Sequence, residues 1–179
     1  MDKRSEHTRQ LLVDATAGLI AEGRFTDAGL VNICRAAGVS RGALYHHFDS
    51  IADLVAEVYA QARVRVDGLV EEAFSHPPAK APAGFSIALC RALLDEHMVR
   101  AGVRVGPDGT SDPPRLREEA LTRMREQMVT NRPGSDAAAD LAVVVTAGLE
   151  SLGHTDVYWW QPKTVQRIWG LVHHLDGVS

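Results

Sequence analysis

Cysteine is scarce in this chain, with only Cys34 and Cys90 among 179 residues. Both fall inside helix-like stretches far apart in sequence, which suits a reducing compartment better than a disulfide framework. Lysine is scarce as well, three residues against sixteen arginines, a bias that reads as a GC-rich genome rather than a function. No apolar run approaches a membrane span, and the opening MDKRSEHTRQ has no signal-peptide apolar core, so the sequence reads as cytoplasmic with no membrane partner. Alternating strand patterns are missing too. An excess of positive charge is also lacking: the net charge is −4, and residues 1–50 hold six Lys/Arg against six Asp/Glu. Any claim of nucleic-acid binding must therefore rest on local geometry. HExxH, a glycine-rich phosphate loop and a nucleophile elbow are all absent, which argues against an enzyme.

What is present is helical periodicity, in a chain that is 45% apolar. Leu11, Leu12, Ala15, Leu19 and Ile20 make one stripe of a first helix that Gly23 ends. A short second helix follows from about Gly29 to Ala36, with Leu30 and Ile33 inward. After Gly38-Val39, Ser40 is placed to cap a third helix reaching His47. Ser50-Ile51-Ala52-Asp53 resembles a capping box, and the helix after it runs to about Phe74. Beyond SHPPAKAPAG (75–84) one helix is expected from about Phe85 to Ala101. A Gly/Pro/Asp loop (105–114) then precedes helices at Leu116–Val129, Ser135–Leu152 and Lys163–Leu175. The expected fold is all-α, with eight or nine helices and a division into residues 1–49 and 50–179.

The stretch AGVSRGALYHHF (37–48) has the proportions of a helix-turn-helix. Two helices that cross steeply need a small residue at their contact, which is Cys34. The turn needs a residue tolerant of positive φ, which is Gly38. Ile33, Val39 and Leu44 can then close a miniature core. The third helix is left free to enter a major groove. Arg41 can pair with guanine or hold a phosphate, Gly42 and Ala43 permit close approach, and Tyr45 can reach phosphate or a thymine methyl. Ser40, Arg41, Gly42, Ala43, Tyr45 and His46 are thus the candidate DNA-contacting residues. An ordinary αα-hairpin remains open on the motif alone.

The stretch LLVDATAGLIAEGRF…LVNICRAAGVSRGALYHHFDSIADL (11–54) resembles the DNA-binding domain of TetR-family regulators, in position, spacing and the Tyr45-His46-His47-Phe48 signature. The resemblance implies a homodimer, a three-helix DNA-binding head and a larger helical domain for ligand binding and dimerisation. MVRAGVRV (98–105), LAVVVTAGLES (141–151) and VQRIWGLVHHL (165–175) further resemble the γ-butyrolactone receptor branch, typically repressors of antibiotic or other secondary-metabolite genes. The chain departs from the family at two phosphate-holding positions, Gly29 where Thr is usual and Ile51 where Lys is usual. It also lacks the aromatic residue that the branch carries after MVRAGVRV.

These features lead to four expectations. Double-stranded operator DNA is the first partner, and no cofactor or metal is implied. A second copy of the chain should pair through Ala142, Val145, Leu149, Ile168, Trp169 and Val172. A small, mostly apolar effector should lodge among helices 4 to 7, against Met98, Met124, Met128 and Val144, with Cys90 and His97 as polar points. An orphan regulator or a purely structural dimer module is the alternative. His46-His47 and His173-His174 do not suggest metal, because adjacent helical residues point about 100° apart. Asp95-Glu96-His97 reads as a solvated face rather than an acid–base cluster, with Glu96 and Arg100 at pairing distance i,i+4. Trp159-Trp160 falls in an expected loop, as packing or as a stacking surface.

Overall fold

The computed structural model describes residues 3–23, 29–77, 79–109 and 115–176, without the side chains of 173–176. Phe25, Thr110 to Pro114 and the His173-His174 side chains therefore lie outside the described residues. Nine α-helices are present among the described residues, and no strand. They are α1 Lys3–Ala21, α2 Leu30–Ala37, α3 Arg41–His47, α4 Ile51–Phe74, α5 Ala81–Asp95, α6 His97–Gly102, α7 Arg115–Asn131, α8 Asp136–Gly153 and α9 Pro162–Asp176. A 3-10 turn, Val157–Trp160, links the last two. No helix described is long and apolar enough to cross a membrane.

One helix was expected across residues 85–101, and two are found. Glu96 leaves the helical region at φ −112° and ψ 105°, ending α5 before α6 begins at His97. Arg65 holds the Glu96 carboxylate with two nitrogens, Nε at 2.9 Å and Nη2 at 2.7 Å. Apolar periodicity continues through the break, because the side chains on both sides of it are buried. It therefore gave no sign of the interruption.

By packing, the chain divides into two units: residues 1–64 with 97–116, and 65–96 with 117–179. The expected division fell after residue 49. In the first unit, α1 lies against α2, α3 and α6. Its core contains Leu12, Val13, Ala17, Ile20, Ile33, Leu44, Val55 and Val58, all fully covered or nearly so. Arg104 closes the far end of α1 by donating to the carbonyls of Ile20 and Ala21, at 3.1 and 2.8 Å. A cation on the last carbonyls of a helix meets both their unmet hydrogen bonds and the negative end of its dipole. Gly109, at φ +77°, lays its Cα on the backbone of Ala52 at the start of α4, where a Cβ would strike the Ala52 carbonyl.

In the second unit α5 packs against α8, α9 and the 3-10 turn. Phe85, Leu89, Leu93, Met124, Leu149, Val165 and Trp169 fill its core. A buried polar seam runs through it. Ser86 and Thr146 share a hydroxyl bond of 2.6 Å, and Thr146 also donates to the Ala142 carbonyl. One turn further along α8, buried Glu150 takes Arg117 at 3.2 Å and His154 at 2.9 Å. Every member of this seam has a partner, which is what a buried polar group needs to avoid its desolvation cost.

Candidate nucleic-acid interface

The turn between α2 and α3 is specified atom by atom. Gly38 adopts φ +67°, and its N–H donates to Arg35 O at 3.2 Å while Val39 N–H donates to Cys34 O at 3.0 Å. This pair of bonds is the Schellman closure, which needs a left-handed residue at the position after the helix. Ser40 follows in extended conformation, and its Oγ accepts from Ala43 N–H at 3.2 Å. The serine thereby satisfies a donor that the first turn of α3 would otherwise leave open.

Within α3 only Leu44 is buried, seated with Ile33, Cys34 and Phe48 in the core of the head. Arg41, Gly42, Tyr45 and His46 are exposed and Ala43 is half-covered, with 56% of Tyr45 open to solvent. The structure thus brings all six candidate DNA-contacting residues together on one short helix and its cap. The His46 and His47 rings meet edge to face at 5.1 Å. His47 is half-buried, so it is less available to a partner than His46.

Two features flank this helix outside the motif. The Arg9 guanidinium lies 5.1 Å from the Phe48 ring centre and pairs with Glu57 at 2.7 Å. That arginine holds the Glu57 carboxyl below its ordinary range. Ser50 caps α4 by accepting from Asp53 N–H at 3.1 Å and donating to the Asp53 carboxylate at 2.7 Å. The Ser50 cap was legible in the sequence. The Arg9 contacts were not, since their partners lie about forty and fifty residues away and no local pattern links them. Gly29 precedes α2 with no side chain to cap it, and open space surrounds its Cα. Ile51 opens α4, half-covered.

The six candidate ligand residues divide between the two units. Cys90 and Met124 are buried in the second unit, and Met128 is half-buried there. Burial pushes the Cys90 thiol up to about 12, with the Glu150 carboxylate adding to the shift, so it is a packing residue and not a nucleophile. Val144 is 67% exposed. His97 and Met98 belong to the first unit, where His97 borders a concavity of about 430 Å3 between α1, the end of α2 and α6.

The candidate pairing residues are also redistributed. Ala142, Leu149, Trp169 and Val172 are covered by their own chain, and Val145 and Ile168 are half-covered. Among the described residues, the large apolar side chains that α8 and α9 expose are Leu141, Val144, Leu152 and Leu171. Trp160 is core, donating from Nε1 to Glu150 O at 3.0 Å, while Trp159 meets Tyr158 edge to face at 5.5 Å. No cluster of three or more metal-ligating side chains exists among the described residues.

A capped, glycine-turned helix pair with a polar outer helix defines the helix-turn-helix class of regulatory domain. Residues 12–58 match the family described as "Bacterial regulatory proteins, tetR family". The match covers the head and the start of α4, and the likeness to that family is a likeness of this segment. The HTH-type transcriptional regulator AcrR of Shigella flexneri is 35% identical over 57 residues, covering 32% of this chain. This chain thus spans about a quarter of the length of the curated relatives it matches, 26% in each case. Among solved structures, a γ-butyrolactone receptor (ArpA-like protein) aligns over 99% of this chain and 100% of its own, with TM-score 0.67 and 20% identity. NalD, the secondary repressor of the MexAB-OprM multidrug efflux pump in Pseudomonas aeruginosa, aligns over 97% of both chains, with TM-score 0.69 and 22% identity. These two likenesses extend the shared fold beyond the head.

Proposed function

We propose that the chain is a cytoplasmic, ligand-responsive repressor that binds an inverted-repeat operator as a homodimer. The observation that carries this reading is α3 itself: one buried anchor, Leu44, beneath an exposed face of Arg41, Tyr45 and His46. A helix that spends a single residue on the core and displays the rest has the form of a recognition helix. A symmetric dimer presents two of them, hence the inverted repeat. Control of secondary-metabolite genes is proposed from the likeness to a γ-butyrolactone receptor, though NalD is an equally good match in fold. An orphan regulator that binds no butyrolactone is the second reading. It is favoured by the burial of Cys90 and Met124 in the core of the second unit and by the exposure of Val144.

Arg41→Ala tests the head. Loss of a paired contact to guanine should weaken operator binding by about 1–3 kcal/mol per base contact and relax discrimination at that base. Mobility shifts against a panel of single-base operator variants measure both. Unchanged affinity and selectivity would remove Arg41 from the interface.

Ile51→Lys tests the missing phosphate anchor. Residue 51 opens α4 beside the Ser50 cap, and each dimer holds two copies. A lysine that neutralises one phosphate steepens the salt dependence by about 0.9 per contact, so the dimer's slope should rise by about two while specific and non-specific binding both tighten. Gly29→Thr adds only a neutral hydroxyl, so it should tighten binding with little change in slope. Fluorescence anisotropy across a salt series separates the two. A slope and affinity untouched by Ile51→Lys would mean that residue 51 does not face the phosphates.

A further inference from the structure

Two neighbouring residues of α1, Arg9 and Gln10, reach two residues one turn apart on α4, Glu57 and Gln61. Arg9 meets the Glu57 carboxylate with two nitrogens, Nη1 at 3.2 Å from Oε1 and Nη2 at 2.7 Å from Oε2. Beside that pair the amides of Gln10 and Gln61 exchange hydrogen bonds, each donating to the other's oxygen, at 3.1 and 3.2 Å. Gln61 also donates to Glu57 at 3.0 Å, which joins the two rows into one clasp. All four side chains are half-buried and lie in the first unit. A guanidinium bonded to a carboxylate through two N–H groups has a fixed direction as well as a favourable energy. The same guanidinium lies over the ring of Phe48, 5.1 Å from its centre. Phe48 is buried and ends α3, its N–H donating to Leu44 O at 2.9 Å, and only Asp49 and Ser50 separate it from α4.

We propose that Arg9 is a positioning residue for operator recognition, holding Phe48, and with it the carboxyl end of α3, against α4 through Glu57. This role rests on the reading of α3 as a recognition helix. Within its seven residues α3 buries only Leu44. Phe48 is a second fixed point at the helix end, and two points set a direction where one does not. Paired hydrogen bonds to a base edge weaken steeply as their angles close, so the aim of α3 bears on discrimination. A direct phosphate contact is disfavoured, because Glu57 already engages two Arg9 nitrogens and the pair carries no net charge to attract a phosphate.

The test first selects a duplex from a random pool with the parent chain. Arg9→Lys, Arg9→Ala and Glu57→Ala are then measured on that duplex and on a scrambled one of equal length, by fluorescence anisotropy across a salt series. Circular dichroism melts set a temperature at which each variant is folded. Glu57→Ala removes a negative charge, so charge alone would tighten binding to both duplexes. Positioning through Glu57 has the opposite sign on the selected duplex, with binding about tenfold weaker, while the scrambled duplex is bound no more weakly than by the parent. Arg9→Lys keeps the charge but not the planar fork, so it should weaken selected-duplex binding by a similar factor with the salt slope unchanged. An Arg9 that held a phosphate would be rescued by lysine, and Arg9→Ala would then lower the dimer's slope by about two. A pair that only stabilises the fold would lower the melting temperature and leave both affinities as they were. Should an alanine variant not fold, Arg9→Lys alone decides. Selected-duplex binding by Glu57→Ala at parent strength or tighter, or rescue by lysine at position 9, would overturn the role. A parent chain that selects no duplex removes the operator reading itself and this role with it, whereas a selecting parent with indifferent variants removes the role alone.

Discussion

A chain carrying Val144→Asp and Leu152→Asp is expected to run as a folded monomer in light scattering at micromolar concentration and to lose most of its operator affinity. On α8 the positions 141, 144, 148 and 152 recur at the spacing of one helical face, and in the single chain Val144 is 67% and Leu152 46% exposed. Leu171 of α9, 62% exposed, adds to the apolar surface of the same unit. Two such helices from each subunit would close a four-helix bundle about a two-fold axis, where each contact is made twice. Aspartate at 144 and 152 costs the isolated chain little, since both side chains already meet water. In a dimer it would bury four unpaired carboxylates, each at a cost of several kcal/mol. With the two heads uncoupled, operator binding loses the gain of simultaneous engagement and should fall by about a hundredfold or more. Trp169→Asp should behave differently. Trp169 is buried in the core of its own unit, so removing it should cost about 3–5 kcal/mol of folding stability rather than free an intact monomer. Persistence of a dimer in the double variant would exclude this face of α8.

The contrast between these variants marks where the sequence stops being informative. AADLAVVVTAGL in α8 is apolar on nearly every side, so periodicity could identify a helix but not which stripe meets its own chain and which meets water. Ala142 and Leu149 face inward, while Leu141, Val144 and Leu152 face outward, although nothing in their residue types separates the two sets. The candidate ligand residues meet a related limit. Methionine and cysteine suit a pocket lining and an ordinary core equally well, and only packing reveals that Met124 and Cys90 are core. The head was far more legible because its determinants are local. Gly38 must take positive φ, Ser40 must cap, Leu44 must be apolar, and all lie within seven residues of one another. The end of α4 at Phe74 was legible too, because the Pro/Gly-rich stretch after it cannot continue a helix. Contacts between distant segments, such as Arg104 on the end of α1 or Gly109 on Ala52, leave no trace in any short window.

Gly153→Ala is the second large effect expected, and it rests on the contact between α8 and the 3-10 turn. Gly153 is the last residue of α8 and is buried, and a Cβ there would fall inside the indole of Trp160. That ring cannot yield easily. Trp160 is itself buried, its Nε1 is bonded to Glu150 O at 3.0 Å, and the His154 imidazole meets it edge to face at 5.0 Å. Moving the indole would break the bond that ties the 3-10 turn to α8 and leave both a buried donor and a backbone carbonyl unmet. Overpacking costs about 1–3 kcal/mol, and the broken bond adds to it, so a loss of roughly 3 kcal/mol or more is expected. For a chain of this size that corresponds to a melting temperature lower by about 6–12 °C. Gly68→Ala is the matched control. Gly68 lies within α4 and a Cβ there would meet nothing within 4 Å, so alanine should stabilise by about 0.5–1 kcal/mol through helix propensity alone. Thermal melts of the two variants beside the parent chain should therefore move in opposite directions. A Gly153→Ala chain that melts with the parent would show that Trp160 is not held in the position that its contacts with Glu150 and His154 require.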